Sequence, residues 1–193
     1  VKNLLLILLP LPFAVACTSS QMRDAGPSDP PGPDESKVII YRTSIVGSVA
    51  PHPVFDGSKL LGFAEKGKYF EVRCEPGKHL FNIGYHHDLW TSYWSVPGEA
   101  VDADLAPGKT YYIRLYVGGG LVSTPGPRLA PLRMGTKEWE TIEKKLRRLH
   151  CRELSLEQAE ALGSEAGENV KRIEEGNEEL RVDAKRLSRE DGR

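Results

Sequence analysis

Histidines, cysteines and aromatic side chains crowd the stretch from Cys74 to Trp94, and each type points to a different chemistry. His79, His86, His87 and Asp88 invite a metal reading, because imidazole and carboxylate are ligands for zinc and copper. Their spacing works against it. Neighbouring residues on a strand point to opposite faces, so His86 and His87 are poor co-ligands unless the chain bends. His79 is seven residues from His86, a separation that does not by itself bring the two together. The expected arrangement is a loop with incidental histidines, with metal binding as the alternative. Trp90, Tyr93 and Trp94 could stack on sugar rings or anchor a partner surface. The competing expectation is that they plug one end of the body. Cys74 and Cys151 are expected to be free thiols, although an oxidising compartment would allow a disulfide. Cys74 alternates with Phe70 and Val72 on an inward face, where a thiol among apolar groups is inert. An enzyme built on Cys74 with His79 or His86 is therefore a remote reading. No Ser-His-Asp spacing, nucleophile elbow or HExxH occurs in the sequence. Gly118-Gly119-Gly120 lacks the lysine spacing of a phosphate-binding loop and reads as a flexible connection. The sequence thus offers no catalytic residue, no metal site and no cofactor, and a non-enzymatic role is expected.

Composition sets the frame for these residues. The chain has 193 residues, with 26 Lys and Arg against 27 Asp and Glu, a formal charge of −1. Such balance argues against a nucleic-acid partner held by a basic face. A hydrophobic content of 39% and a mean hydropathy of −0.39 fit one modest core, not a polytopic membrane protein. Three cysteines are too few for a disulfide-built scaffold.

The first sixteen residues read as an address. Leu4 to Phe13 is apolar throughout, interrupted by Pro10 and Pro12. As a helix it would measure roughly 15 Å, half of the ~30 Å bilayer core, so it suits a secretory leader better than a membrane span. Ala14-Val15-Ala16-Cys17 follows directly. Small residues one and three positions before a cysteine fit the narrow pockets of a signal peptidase. This run resembles the bacterial lipobox, with Ala14 where that pattern usually has Leu. The resemblance implies diacylglyceryl transfer to the Cys17 thiol, cleavage after Ala16 and acylation of the new amine. The alternative is an ordinary signal peptide that leaves Cys17 as a thiol. Two or three acyl chains anchor firmly, because each buried methylene contributes about 0.8 kcal/mol. Thr18 stands after the cysteine, and by the same resemblance the absence of Asp there favours the outer membrane over the inner.

Beyond the leader the chain divides into three parts. Residues 17–36 carry four prolines and little apolar material, the composition of a disordered tether, with a reach on the order of 50 Å. Residues 37–135 hold the candidate core. Val38-Ile39-Ile40-Tyr41 reads as a first strand. Val54 to Phe63 reads as strand, Asp56-Gly57 turn, strand. Alternation then marks strands through Phe70-Val72-Cys74, Phe81-Ile83-Tyr85, Val101-Ala103-Leu105 and Ile113-Leu115-Val117, the pattern of half-buried antiparallel strands. Glu75-Pro76-Gly77-Lys78 and Ala106-Pro107-Gly108-Lys109 look like type II turns. They predict either wide hairpins or crossings between two sheets. The fold class expected is mainly β: a small antiparallel β-sandwich followed by a charged α-helical C-terminal tail. In that tail, residues 136–193, Trp139, Ile142, Leu146 and Leu149 form one helical face. Ser155-Leu156-Glu157-Gln158 is a capping box. Val170, Ile173, Asn177, Leu180, Ala184 and Leu187 recur at heptad spacing. They predict a solvated helix, or else a weak self-pairing or partner-binding coil.

The early Tyr-Arg strand, the Asp-Gly turn, Tyr69-Phe70-Glu71-Val72, Pro76-Gly77-Lys78-His79 and Gly108-Lys109-Thr110-Tyr111-Tyr112-Ile113-Arg114 together resemble the prokaryotic lipoproteins called domain of unknown function 2846. These are similar to PEGA-type sandwiches. The resemblance covers residues 37–135 and implies a β-sandwich in the cell envelope, with no reaction and no catalytic residues. The expected function is a lipid-anchored, non-catalytic binding or structural module, with an envelope protein or peptidoglycan as partner. The alternative is a carbohydrate- or ligand-binding module using Trp90, Tyr93 and Trp94.

Overall fold

The computed structural model describes residues 22–43, 51–57, 59–83, 100–118, 126–155 and 185–193. The fold is mainly β. Eleven strands are formed among the described residues: β1 Arg23–Asp24, β2 Ser36–Arg42, β3 His52–Asp56, β4 Lys59–Ala64, β5 Lys68–Cys74, β6 Gly77–Ile83, β7 Val101–Leu105, β8 Thr110–Gly118, β9 Gly126–Pro131, β10 His150–Glu153 and β11 Lys185–Leu187. Among the described residues one α-helix, α1 Lys137–Leu146, lies between β9 and β10.

The strands make a six-stranded sheet in the order β1-β10-β5-β2-β8-β9 and a five-stranded sheet in the order β11-β7-β6-β3-β4. One apolar core joins them. The first sheet contributes Val38, Ile40, Phe70, Ile113, Leu115 and Leu129, and the second contributes Val54, Phe63, Phe81, Val101, Ala103 and Leu105. These are the inward sets of the alternating patterns, so period two does place the side chains. Cys74 packs against the same core, as its alternation with Phe70 and Val72 predicts. The Asp56-Gly57 hairpin forms between β3 and β4, with Gly57 at φ 55, the left-handed conformation glycine tolerates best. The two Pro-Gly-Lys junctions both prove to be crossings. β5 passes through Pro76 into β6 of the other sheet, and β7 passes through Pro107 into β8.

The sheets are mixed rather than antiparallel. β2 runs parallel to β8, β10 parallel to β5, and β11 parallel to β7. Parallel neighbours need a long crossover, and here β3, β4, β6 and β7 of the second sheet, with β5 of the first, lie between β2 and β8. Nor is the central strand half-buried. Every residue of β2 is buried, because its outer face carries a second apolar cluster under α1. Ile39, Tyr41 and Tyr112 form the floor of that cluster and the fully buried Ile142 of α1 its roof. Thr136 starts the helix by accepting a hydrogen bond from the Trp139 amide. Glu138 and Glu140 in the first turn and Lys144 and Lys145 in the last complement its dipole.

The expected boundaries at 36 and 135 are corrected at both ends. The tether is not free over its described residues. Met22 is 2% exposed within the shared core, and its Sδ accepts a hydrogen bond from the Phe63 amide at 3.0 Å. A Cβ on Gly62 would come within 3.2 Å of the Met22 sulfur and 3.1 Å of the Phe70 ring, so the glycine makes room for the methionine. β1 then pairs with β10, and residues 25–35 cross the outer face of the first sheet as a strap. Among its described residues the tail is helical only over α1 and a single 3-10 turn, Arg189–Asp191. β10 joins the first sheet beside β5, and β11 joins the second beside β7. Leu187, read from heptad spacing as a helical seam residue, is a buried strand residue 1% exposed. Open sheet edges offered by β5 and β7 outcompeted helix propensity in these segments, since edge backbone groups need partners. The final residue closes the fold. Arg193 exchanges two backbone hydrogen bonds with Thr110, stacks its guanidinium 3.7 Å from the centre of the Trp139 ring and pairs with Glu143. Ser155 is the last described residue of its segment, so the capping box and the remaining heptad positions lie outside the described residues.

Candidate functional site

The residues singled out for chemistry fall into two groups. Ala16 and Cys17, His86, His87 and Asp88, and Trp90, Tyr93 and Trp94 lie outside the described residues. His79, Cys74 and Cys151 lie within them.

His79 is a structural histidine. It projects from β6 toward the hairpin, where Nδ1 lies 2.6 Å from Asp56 Oδ2 and Nε2 lies 2.7 Å from the Glu75 carbonyl. Its ring stacks on Phe81. Both nitrogens are engaged, so neither is presented to a metal. The hydrogen bond to Asp56 raises its pKa above the ordinary value, against a smaller opposing effect of burial. Among the described residues no three His, Cys, Asp or Glu side chains converge as a metal site.

Both described cysteines are free thiols. Burial pushes Cys74 up to about 12, Asp56 adding to the effect and Lys59 opposing it. Cys151 is also raised, first by burial, although a hydrogen bond with Tyr69 opposes it. It lies on β10, not on a helix, and is 8% exposed. Both shifts favour the protonated thiol over the thiolate at neutral pH. Iodoacetamide at pH 8 is therefore expected to leave Cys74 unmodified in the native protein and to alkylate it in urea. Rapid native alkylation at Cys74, read by peptide mass, would contradict this burial.

The feature sequence reasoning missed is on the outer face of the first sheet. A shallow groove of about 500 Å³ runs between the strap and the C-terminal end of α1. Ile39, Tyr69 and Tyr112 line its floor, Ala25 and Pro27 one wall, and Leu146, Arg147 and Leu149 the other. Glu71, Glu143 and His150 supply polar groups. Glu71 is already committed: its Oε2 accepts from the Ser28 hydroxyl at 2.5 Å and the Ser28 amide at 2.9 Å, and it pairs with Lys37 at 3.4 Å. Lys37 also donates to the Ser28 and Asp29 carbonyls, and Arg73 donates to the Asp29 carbonyl and pairs with Glu35. At the other end of α1, Glu138 collects hydrogen bonds from Tyr41, Arg114 and Lys145. Burial opposes ionisation of Glu138, but these donors and the charges of Arg114 and Lys145 outweigh it and hold the carboxyl below its usual range. These polar networks hold strap and helix in place. They leave an apolar, aromatic-floored groove suited to contact. The alternation of Tyr69 with Phe70 and of Tyr112 with Ile113 was a signal for it, because aromatic residues on the outward positions of central strands need cover.

No described helix is long and apolar enough to cross a membrane. Comparison of the chain with known protein families and with curated proteins gives no match.

Proposed function

We propose that this protein is a bacterial lipoprotein: a β-sandwich fastened to the envelope by acyl chains on Cys17, acting as a non-catalytic binding or structural module. The observation that carries the reading is the order of the N-terminal residues. An apolar leader too short to span is followed by small residues at the cleavage positions and at once by a cysteine. The two sheets around one core, with crossings at Pro76 and Pro107, are compatible with the sandwich and with kinship to the domain of unknown function 2846. Two protonated thiols and a structural His79 favour contact over catalysis. Contact would use the outer face of the first sheet, where aromatic rings floor an open groove.

Mass spectrometry of the processed N-terminus tests this. The expected species begins at Cys17 and carries a diacylglyceryl group plus an amide-linked acyl chain. The Cys17→Ser variant is expected to lose that mass. A bare Cys17 sulfhydryl in the processed wild-type chain would end the reading.

A further inference from the structure

We infer that the body does not stand off from the membrane: its β1–β10 edge lies against an anionic bilayer surface, held there by a short leash. This rests on the lipidation of Cys17 proposed above. Two independent observations support it. The first is the length of the leash. Met22 is buried in the shared core and is fixed by Phe63 and Gly62. Four residues separate it from Cys17, and even fully extended the five Cα-to-Cα steps cover at most about 18 Å. The strap that follows is not spare length. Arg23 and Asp24 pair with β10, the Ala25 amide donates to the Cys151 carbonyl, and Ser28 and Asp29 are held by Glu71, Lys37 and Arg73. A tether of residues 17–36 could have held the body on the order of 50 Å away. The folded strap leaves about a third of that.

The second observation is charge. The turn from α1 into β10 exposes Lys144, Arg147, Arg148 and His150. Lys66, exposed on the adjoining turn between β4 and β5, extends the patch, since the Gly67 carbonyl accepts from the His150 amide. Neither Lys144, Arg147, Arg148 nor Lys66 has an ion pair among the described residues. Most nearby acids are committed: Glu143 to Arg193, Glu153 to Arg23, Asp24 to Arg152 and Glu65 to Lys68, while Glu140, one turn before Lys144, is exposed. The patch keeps a net positive charge on a chain of net charge −1, and it is placed on the edge from which the leash leaves. Anionic phospholipid headgroups complement it, and the leash keeps them within its range.

Sheet order makes the orientation measurable. β9 forms the opposite edge of the first sheet, five strand spacings or about 24 Å from β1. The test uses the acylated full chain in phosphatidylethanolamine vesicles, with and without phosphatidylglycerol. A fluorophore is placed on an encoded residue at position 153, on β10, or at position 134, just past β9, and energy transfer to a labelled lipid gives each distance from the bilayer. With phosphatidylglycerol present, position 153 is expected within about 20 Å of the surface. Position 134 is expected farther by about 20 Å. Omitting phosphatidylglycerol, raising the salt, or combining Lys144→Glu, Arg147→Glu and Arg148→Glu should shrink that difference while position 153 stays close. The salt arm needs no substitution, so it holds even if the triple variant folds poorly. Equal distances for the two positions, or position 153 beyond about 40 Å, would overturn the inference with the anchor intact by mass spectrometry. A bare Cys17 would remove the anchor and this inference with it.

Discussion

Replacing Lys37 with Met is expected to lower folding stability by about 3 kcal/mol and to free the strap from the sheet. Lys37 and Glu71 are a buried pair, with side chains 7% and 9% exposed. Removing the ammonium leaves a carboxylate under the strap with Ser28 alone as donor, strips the Ser28 carbonyl of its side-chain donor and leaves the Asp29 carbonyl to Arg73. The penalty comes from the charge left behind, not from the worth of the pair itself. The double replacement Lys37→Met with Glu71→Leu is therefore expected to regain most of the loss, because a matched apolar pair avoids the desolvation of both ions. Urea unfolding of the three variants with a common m-value reads the stabilities, and hydrogen exchange at the Ala25 and Ser28 amides reads the strap. A loss below about 1 kcal/mol in the single variant would mean that water reaches Glu71 and that the strap is not sealed.

Lowering the pH from 6.5 to 4 is expected to cost the folded state about 3 kcal/mol through one histidine. His52, 6% exposed at the start of β3, is depressed to about 4, chiefly by burial and further by the charge of Arg42. Unfolded, it takes its proton near its ordinary 6.5. Between those values the unfolded chain binds more protons than the folded one, so stability falls as the pH falls. His52→Phe should keep the burial and remove the slope. His79 works in the opposite sense. Its folded pKa is raised, so its favourable contribution is complete below the unfolded value and fades as the pH rises through the folded one. Glu138, held low, contributes above the unfolded carboxylate range and loses that contribution as the pH falls through its folded pKa. Thermal unfolding of the wild type, His52→Phe and His79→Asn across this range separates the first two. An unchanged acid slope in His52→Phe would show that its ring is reached by protons in the folded state.

Much of the body was legible because its signals are local. A turn type depends on two residues, and a strand's two faces depend on every second one. The Asp56-Gly57 hairpin and the inward set of Phe70, Val72 and Cys74 follow from that and stand in the structure. Period two also marked Tyr69 and Tyr112, but could not say what covers them. The cover comes from residues distant in sequence, Ala25 and Pro27 on one side and Leu146 and Leu149 on the other. The floor of the groove was therefore marked by a local pattern, but its walls were not.

Composition misled where short segments borrow structure from a distant partner. Residues 22–36 look too polar to fold, and by themselves they are. Met22 nevertheless enters a core made by other strands, and Lys37 and Glu71 hold the strap through its backbone. Leu187 fits a heptad, yet three residues of strand on the edge of β7 bury it completely. Taken alone, the sequence determined the order of leader and cysteine, the strand faces and the two proline-glycine turns, since each depends on residues close along the chain. Tertiary structure decided the parallel pairings, whether the proline-glycine turns cross between sheets, the folding-down of the strap and the docking of Met22 and of the Lys185–Leu187 strand. Those turn on which unsatisfied sheet edge or apolar face a distant segment meets, and no spacing within the segment records it.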